Sequence, residues 1–82
     1  MWDNSKIKRV RQELGLVVRR RRYKLKLSQE KFAEKAEIHR TYVSQIELGK
    51  VDIGVGVAYK IAAALKTPLS KIFSEVDKSL QE

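Results

Sequence analysis

Between Leu27 and Gly49 the apolar residues fall at 32, 33 and 36, then at 38, then at 43 and 46. The outer groups repeat at helical spacing, and the break between them is too brief to be a loop. Two short helices must therefore meet at a sharp angle. Ala33 sits where the second helix would cross the first, and only a small side chain lets two backbones approach that closely.

The second of these helices carries Val43 and Ile46 on one side and Arg40, Thr41, Ser44 and Gln45 on the other. Those four side chains form a row able to hydrogen-bond the edges of DNA bases. The stretch reads as a helix-turn-helix and its outer face as a DNA reader.

Charge points the same way. The chain has 82 residues and a formal net charge of +8. Residues 1 to 26 hold ten Lys and Arg against Asp3 and Glu13, whereas residues 27 to 82 hold eight of each sign. The whole excess therefore lies in the N-terminal third, as expected of a chain that binds a polyanion partly through that region. The length suits one domain with a modest core that would profit from a dimer interface.

Cysteine is absent and there is a single histidine, so neither disulfides nor a thiolate metal site is available, and no metal or cofactor is expected. No apolar run nears the roughly 18 residues of a membrane span, and the polar start gives no signal-peptide pattern; a cytoplasmic protein without membrane contact is the expectation. An enzyme is the least expected class: no carboxylate pair or glycine-rich phosphate loop stands in a suitable setting.

Taken in order, Asn4 or Ser5 is a candidate cap. Ile7, Val10, Leu14, Val17, Val18 and Leu25 then recur near one helical face. Gly15 interrupts them at a cost of about 1 kcal/mol relative to Ala, so the first core helix is placed at about 13–25. Residues 1–12 are then a basic N-terminal extension: a DNA-clamping arm, an extra dimer helix or a tail. On the first helix Arg19, Arg20, Tyr23, Lys24 and Lys26 point away from the apolar stripe, while Arg21 lies in it and must snorkel or pair.

Ser28 caps a second helix that opens with Gln29, whose amide and neighbouring N–H groups suit a phosphate. The third helix spans about 39–48. His39 stands at its N-cap, a poor cap that suits donation to a phosphate, and Gly49 is its left-handed terminator. The loop that follows leads to a fourth helix at about 55–65, capped by Gly54 and burying Ala58, Ile61, Ala62 and Leu65. Thr67 is the expected cap of a fifth helix that begins at Pro68 and runs to about Val76 with Leu69, Ile72, Phe73 and Val76 as its apolar face. The domain is thus placed at 13–77, with a frayed tail at 78–82.

Five helices with a turn motif formed by the second and third resemble the lambda-repressor and Cro-type, or Xre-like, helix-turn-helix family. The residues that carry the resemblance are Leu27-Ser28-Gln29-Glu30, Ala33, Ile46-Glu47 with Gly49, Lys60-Ile61-Ala62 with Ala64-Leu65, and Leu69 with Ile72-Phe73. Within the family, the run from Ile38 to Glu47 is most similar to the controller proteins of restriction-modification systems.

The resemblance implies an all-α, five-helix, lambda-repressor-like DNA-binding domain. It also implies a homodimer on a pseudo-palindromic operator in double-stranded DNA, with no catalytic activity and no small-molecule ligand. It makes Gln29 a phosphate contact, Arg40, Thr41, Ser44 and Gln45 the base readers, and Arg22–Glu47 a structural pair joining the first helix to the third. Leu69, Ile72 and Phe73 are divided between core and dimer contact.

The chain departs from the pattern in several places. Glu37 replaces the favoured glycine of the turn, at about 1 kcal/mol for a non-glycine with positive φ. Leu48, Val51 and Asp52 replace residues that would bring cations and an amide to the end of the third helix and its loop, leaving Lys50 as the loop's one cation. The expected mechanism divides the work. Lys24, Lys26, Lys50 and the basic N-terminal segment grip phosphates, with an affinity that falls steeply with salt, while the third helix discriminates sequence. Arg40 either reads guanine through a bidentate contact or grips phosphate. Rival readings are the antitoxin of a toxin–antitoxin pair and, from a different class, a basic RNA-binding or membrane-surface module.

Overall fold

The computed structural model describes residues 1–81, and among them every regular element is helical. The helices are α1 (Asn4–Lys24), α2 (Gln29–Ala36), α3 (Arg40–Glu47), α4 (Val55–Ala64) and α5 (Leu69–Gln81). Helix α1 packs against both α5 and α3, and α2 lies against α3 and α4. Phe32, Val43, Ile61, Ile72, Val76 and the adjacent Val17 and Val18 are fully enclosed where these helices converge. The apolar stripe of each helix thus meets the others in one core.

Two helix boundaries correct the sequence expectations. Helix α1 does not begin near residue 13: it starts at Asn4, capped by the Asp3 carboxylate, which accepts from the Lys6 amide at 3.0 Å, and it continues unbroken through Gly15. The Asp3 carboxyl is held below its ordinary value, first by that backbone hydrogen bond and then by the Ser5 hydroxyl. Helix α5 likewise runs on to Gln81 instead of fraying after residue 77; Glu82 lies outside the described residues. The late turns of α5 are anchored: Leu80 packs against the core and Arg9 of α1 donates to the Ser79 carbonyl at 3.0 Å.

Gly15 explains why α1 tolerates a glycine in mid-helix. A Cβ there would stand 2.5 Å from the carbonyl oxygen of Ile46 and 2.6 Å from that of Glu47. The glycine is the point where α1 crosses the C-terminal end of α3, and its missing side chain sets how closely they pack.

Each of the first four helices ends in one left-handed residue followed by a long-reach backbone bond. Lys26 (φ 57°), Glu37 (φ 56°), Gly49 (φ 72°) and Lys66 (φ 55°) occupy the left-handed position. The next amide then bonds five residues back: Leu27 to Arg22, Ile38 to Ala33, Lys50 to Gln45 and Thr67 to Ala62. Only one of the four is glycine, so the other three each carry a strain of about 1–2 kcal/mol that this long-reach bond and the surrounding packing offset. Between α2 and α3 stand only Glu37, Ile38 and His39, of which Glu37 is the left-handed one.

Gly54 stands at the N-cap of α4 without a side-chain bond. Thr67 does not cap α5. Its hydroxyl donates to the Leu65 carbonyl at 3.0 Å and accepts from Arg21 at 3.1 Å. Pro68 supplies the carbonyl that the amides of Lys71 and Ile72 reach, one place earlier than its expected position inside the helix.

Candidate nucleic-acid interface

Helix α3 is held by its buried side and its C-terminal end. Val43 and Ile46 enter the core, while Arg40, Thr41 and Gln45 are exposed and Ser44 is half-buried. The four residues expected to read bases therefore share the outer side of one helix. Arg40 faces Glu30 of α2 at 3.9 Å, an exposed pair. His39 does cap α3: its Nδ1 accepts from the Thr41 amide at 3.1 Å. That bond leaves Nε2 as the ring nitrogen facing outward chemistry.

The C-terminal end of α3 is fixed by a buried ion pair. Arg22 donates through Nε to Glu47 Oε2 at 2.7 Å and through Nη2 to Oε1 at 2.9 Å. Its Nη1 donates to the Leu27 carbonyl at 2.8 Å. Both side chains are almost fully buried, at 6% and 4% exposure. The Glu47 hydrogen bonds hold the Arg22 guanidinium above its ordinary value against the opposing effect of burial. A two-pronged pair of this kind fixes orientation as well as distance.

Gln29 joins this network: its Nε2 donates to Glu47 Oε1 at 3.2 Å. The side-chain amide expected to hold a phosphate is thus partly engaged inside the protein, and the second amide N–H and the open backbone N–H groups of the first turn of α2 are what it offers outward.

The loop after α3 is tied back to α1. Arg11 grips both carboxylate oxygens of Asp52, at 2.7 and 2.8 Å, and the Tyr42 hydroxyl donates to the Asp52 carbonyl at 3.3 Å. The Arg11 hydrogen bonds hold the Asp52 carboxyl below its ordinary value. Asp52, which the sequence suggests only as a lost amide, anchors the loop, and no local pattern marks Arg11, whose partner lies 41 residues away.

Lys24, Lys26 and Lys50 are exposed. Lys24 follows Arg20 and Tyr23 along α1, and Lys26 is the left-handed residue beyond that helix. Arg19, Arg22, Tyr23, Gln29, Ser44, Glu47 and Leu48 line a single groove between α1, α2 and the outer side of α3. The sequence places Arg19 and Tyr23 on the outward face of the basic first helix without giving either a contact of its own.

The expected dimer residues separate. Ile72 is 1% exposed and is spent on the protomer's own core, whereas Leu69 is half-buried and Phe73 is 39% exposed. Ile72 is therefore removed from the interface set, because a side chain already enclosed has no surface left to bury against a second copy. Arg21, placed by sequence in the apolar stripe, pairs with Glu75 of α5 and with Thr67. No helix among the described residues is long and apolar enough to cross a membrane.

Comparison with known proteins agrees with this geometry. A family model described as helix-turn-helix matches residues 18–72. The control protein C.MunI of a Mycoplasma species is 43% identical over 58 residues, covering 71% of this chain and 78% of the relative. The solved structure of the restriction-modification controller protein C.AhdI from Aeromonas hydrophila matches with a TM-score of 0.74 at 29% identity, over 76% of this chain and 94% of that one. The clp gene regulator ClgR from Corynebacterium glutamicum shares the fold, with a TM-score of 0.83 at 21% identity over 88% of this chain and 77% of that one.

Proposed function

This chain belongs to the helix-turn-helix family of DNA-binding regulators, and on that premise we propose that it is the controller of a restriction-modification system, binding a pseudo-palindromic operator as a homodimer. The observation that carries this reading is the outer side of α3. Arg40, Thr41, Ser44 and Gln45 share one helical side, and the Arg22–Glu47 pair fixes the end of that helix relative to α1.

The proposed mechanism has two parts. Thr41, Ser44 and Gln45 present donors and acceptors to base edges in the major groove, and Arg40 takes guanine through paired N–H groups. Lys24, Lys26 and Lys50, the outward amide N–H of Gln29 and Nε2 of His39 take phosphates, whose neutralisation releases counterions and makes affinity fall with salt. In the dimer, Phe73 and Leu69 supply apolar surface from α5, and two copies of α3 about one helical turn of DNA apart read the two half-sites.

Affinity selection from a random duplex pool, followed by the mass of the complex on the enriched sequence, tests this reading. The expected result is an inverted pair of half-sites carrying two chains. A pool that stays random after repeated rounds would contradict it.

A further inference from the structure

Arg19 stands apart from the other arginines of α1. Among the described residues, Arg9 donates to the Ser79 carbonyl, Arg11 to Asp52, Arg21 to Glu75 and Arg22 to Glu47, and Arg20 faces Glu75 at 3.7 Å. Arg19 donates only to the Tyr23 phenol oxygen, at 3.1 Å. Its guanidinium carbon lies 5.4 Å from the centre of the Tyr23 ring, and that of Arg22 lies 4.7 Å from the same ring. Tyr23 is thus flanked by two cations, and Arg19 rests on it without a carboxylate partner among the described residues.

Such a pair has unused donors. One of the five guanidinium N–H groups of Arg19 is engaged, and the phenol, which accepts from Arg19, keeps its own proton to give. The Arg19 hydrogen bond, followed by its charge, holds the phenol below its ordinary value and so makes it a better donor. The location matters equally: Arg19 and Tyr23 share their groove with Gln29 and Ser44, two of the residues expected to meet DNA.

We propose that Arg19 and Tyr23 form a phosphate clasp on α1 that grips the DNA backbone beside the helix that reads the bases. The clasp rests on the reading of duplex DNA as the ligand. Its chemistry is specific to a phosphate: the planar guanidinium offers paired N–H donors to two oxygens and the phenol adds a third donor. The contact is independent of sequence, as phosphate contacts are.

The test compares the full chain with Arg19→Ala, Arg20→Ala and Tyr23→Phe. Each binds a duplex recovered by selection and a scrambled duplex of equal composition, over a salt series, with a melting curve for each protein. Arg19→Ala should weaken both duplexes by roughly tenfold, one charge-assisted hydrogen bond, and reduce the log–log salt slope by about 1. Tyr23→Phe, which keeps the ring and removes one donor, should weaken both by a smaller factor with the slope unchanged. Arg20→Ala removes the same charge from a side chain that faces Glu75 and should leave the slope unchanged. Equal losses for Arg19→Ala and Arg20→Ala would overturn the clasp in favour of a diffuse positive field. Unchanged binding by Arg19→Ala would overturn it too, and would turn attention to an acidic protein partner for this stripe. If the unsubstituted chain binds neither duplex, the DNA reading itself fails, an outcome distinct from both.

Discussion

The carbonyl oxygen of Glu47 occupies the space that a side chain on Gly15 would need: an added Cβ would stand 2.6 Å from it. One glycine in α1 therefore decides how near that helix comes to the end of α3. Ala would gain about 1 kcal/mol in helix propensity, but overpacking against backbone typically costs about 1–3 kcal/mol, and here the neighbour cannot swing away as a side chain would. Gly15→Ala is expected to lower stability by up to about 2 kcal/mol, the upper end of that range less the propensity gain, read as a lower denaturation midpoint. Amide chemical-shift changes should centre on Ile46–Leu48. A more stable variant would show that the two helices separate freely.

The Arg22–Glu47 pair should reveal itself first as stability. Removing one partner of a buried ion pair leaves the other charged and unpaired, a loss of about 3–5 kcal/mol, so Glu47→Ala should lower the melting temperature markedly. At temperatures where the variant is folded, its order of preference among duplexes should be retained. An unchanged melting temperature would count against the pair as the support of α3.

Acid should loosen the contact between α1 and α5. Burial pushes the Glu75 carboxyl up, but the Arg21 hydrogen bond together with the charges of Arg21, Arg20 and Lys24 leaves it below its ordinary value of 4.5. The folded carboxyl thus holds its proton less tightly than the unfolded one. The unfolded state binds more protons as pH falls from about 4.5 through the depressed folded value, and stability falls with it; above that window the contribution is fully present. Glu75→Gln should flatten the acid limb of a stability–pH profile from the ordinary value of 4.5 downward. A limb of unchanged steepness would assign it to other carboxylates, such as Asp52, which also lies below its ordinary value.

Breaking the Arg11–Asp52 link should free a loop without unfolding the domain. The pair is exposed, and exposed ion pairs add little to global stability. Arg11→Ala is expected to leave the denaturation midpoint nearly unchanged while speeding hydrogen exchange at Val51–Gly54. Slow exchange in the variant would mean that Tyr42 and the packing of Val51 and Ile53 hold the loop unaided.

The sequence revealed most where periodicity and a short break coincide. The spacing of Phe32, Ala33 and Ala36 against Val43 and Ile46 was enough to place α2, α3 and the residues on the outer side of α3. It was less informative wherever a distant partner decides the outcome. Gly15 reads as a helix interruption if propensity alone is weighed, because the backbone it must accommodate lies more than thirty residues away. Arg11 with Asp52 and Arg21 with Glu75 are separated by 41 and 54 residues, beyond any local pattern. Lys26 and Lys66 give no hint of a left-handed conformation, which Gly49 announces by its composition. Ile72 and Phe73 both fit an apolar helical face, and only the packing separates the core residue from the exposed one.

The central claim is that α3 discriminates sequence while the basic surface supplies grip. Arg40→Ala tests it most directly, by the affinities for the selected duplex, for its single base-pair variants and for a scrambled duplex at one fixed salt concentration. The account predicts that the variant loses about 1–3 kcal/mol of preference at one base pair in each half-site and keeps nearly all of its affinity for the scrambled duplex. An equal fall on every duplex would contradict it, placing Arg40 on phosphate and removing it from the residues that read bases.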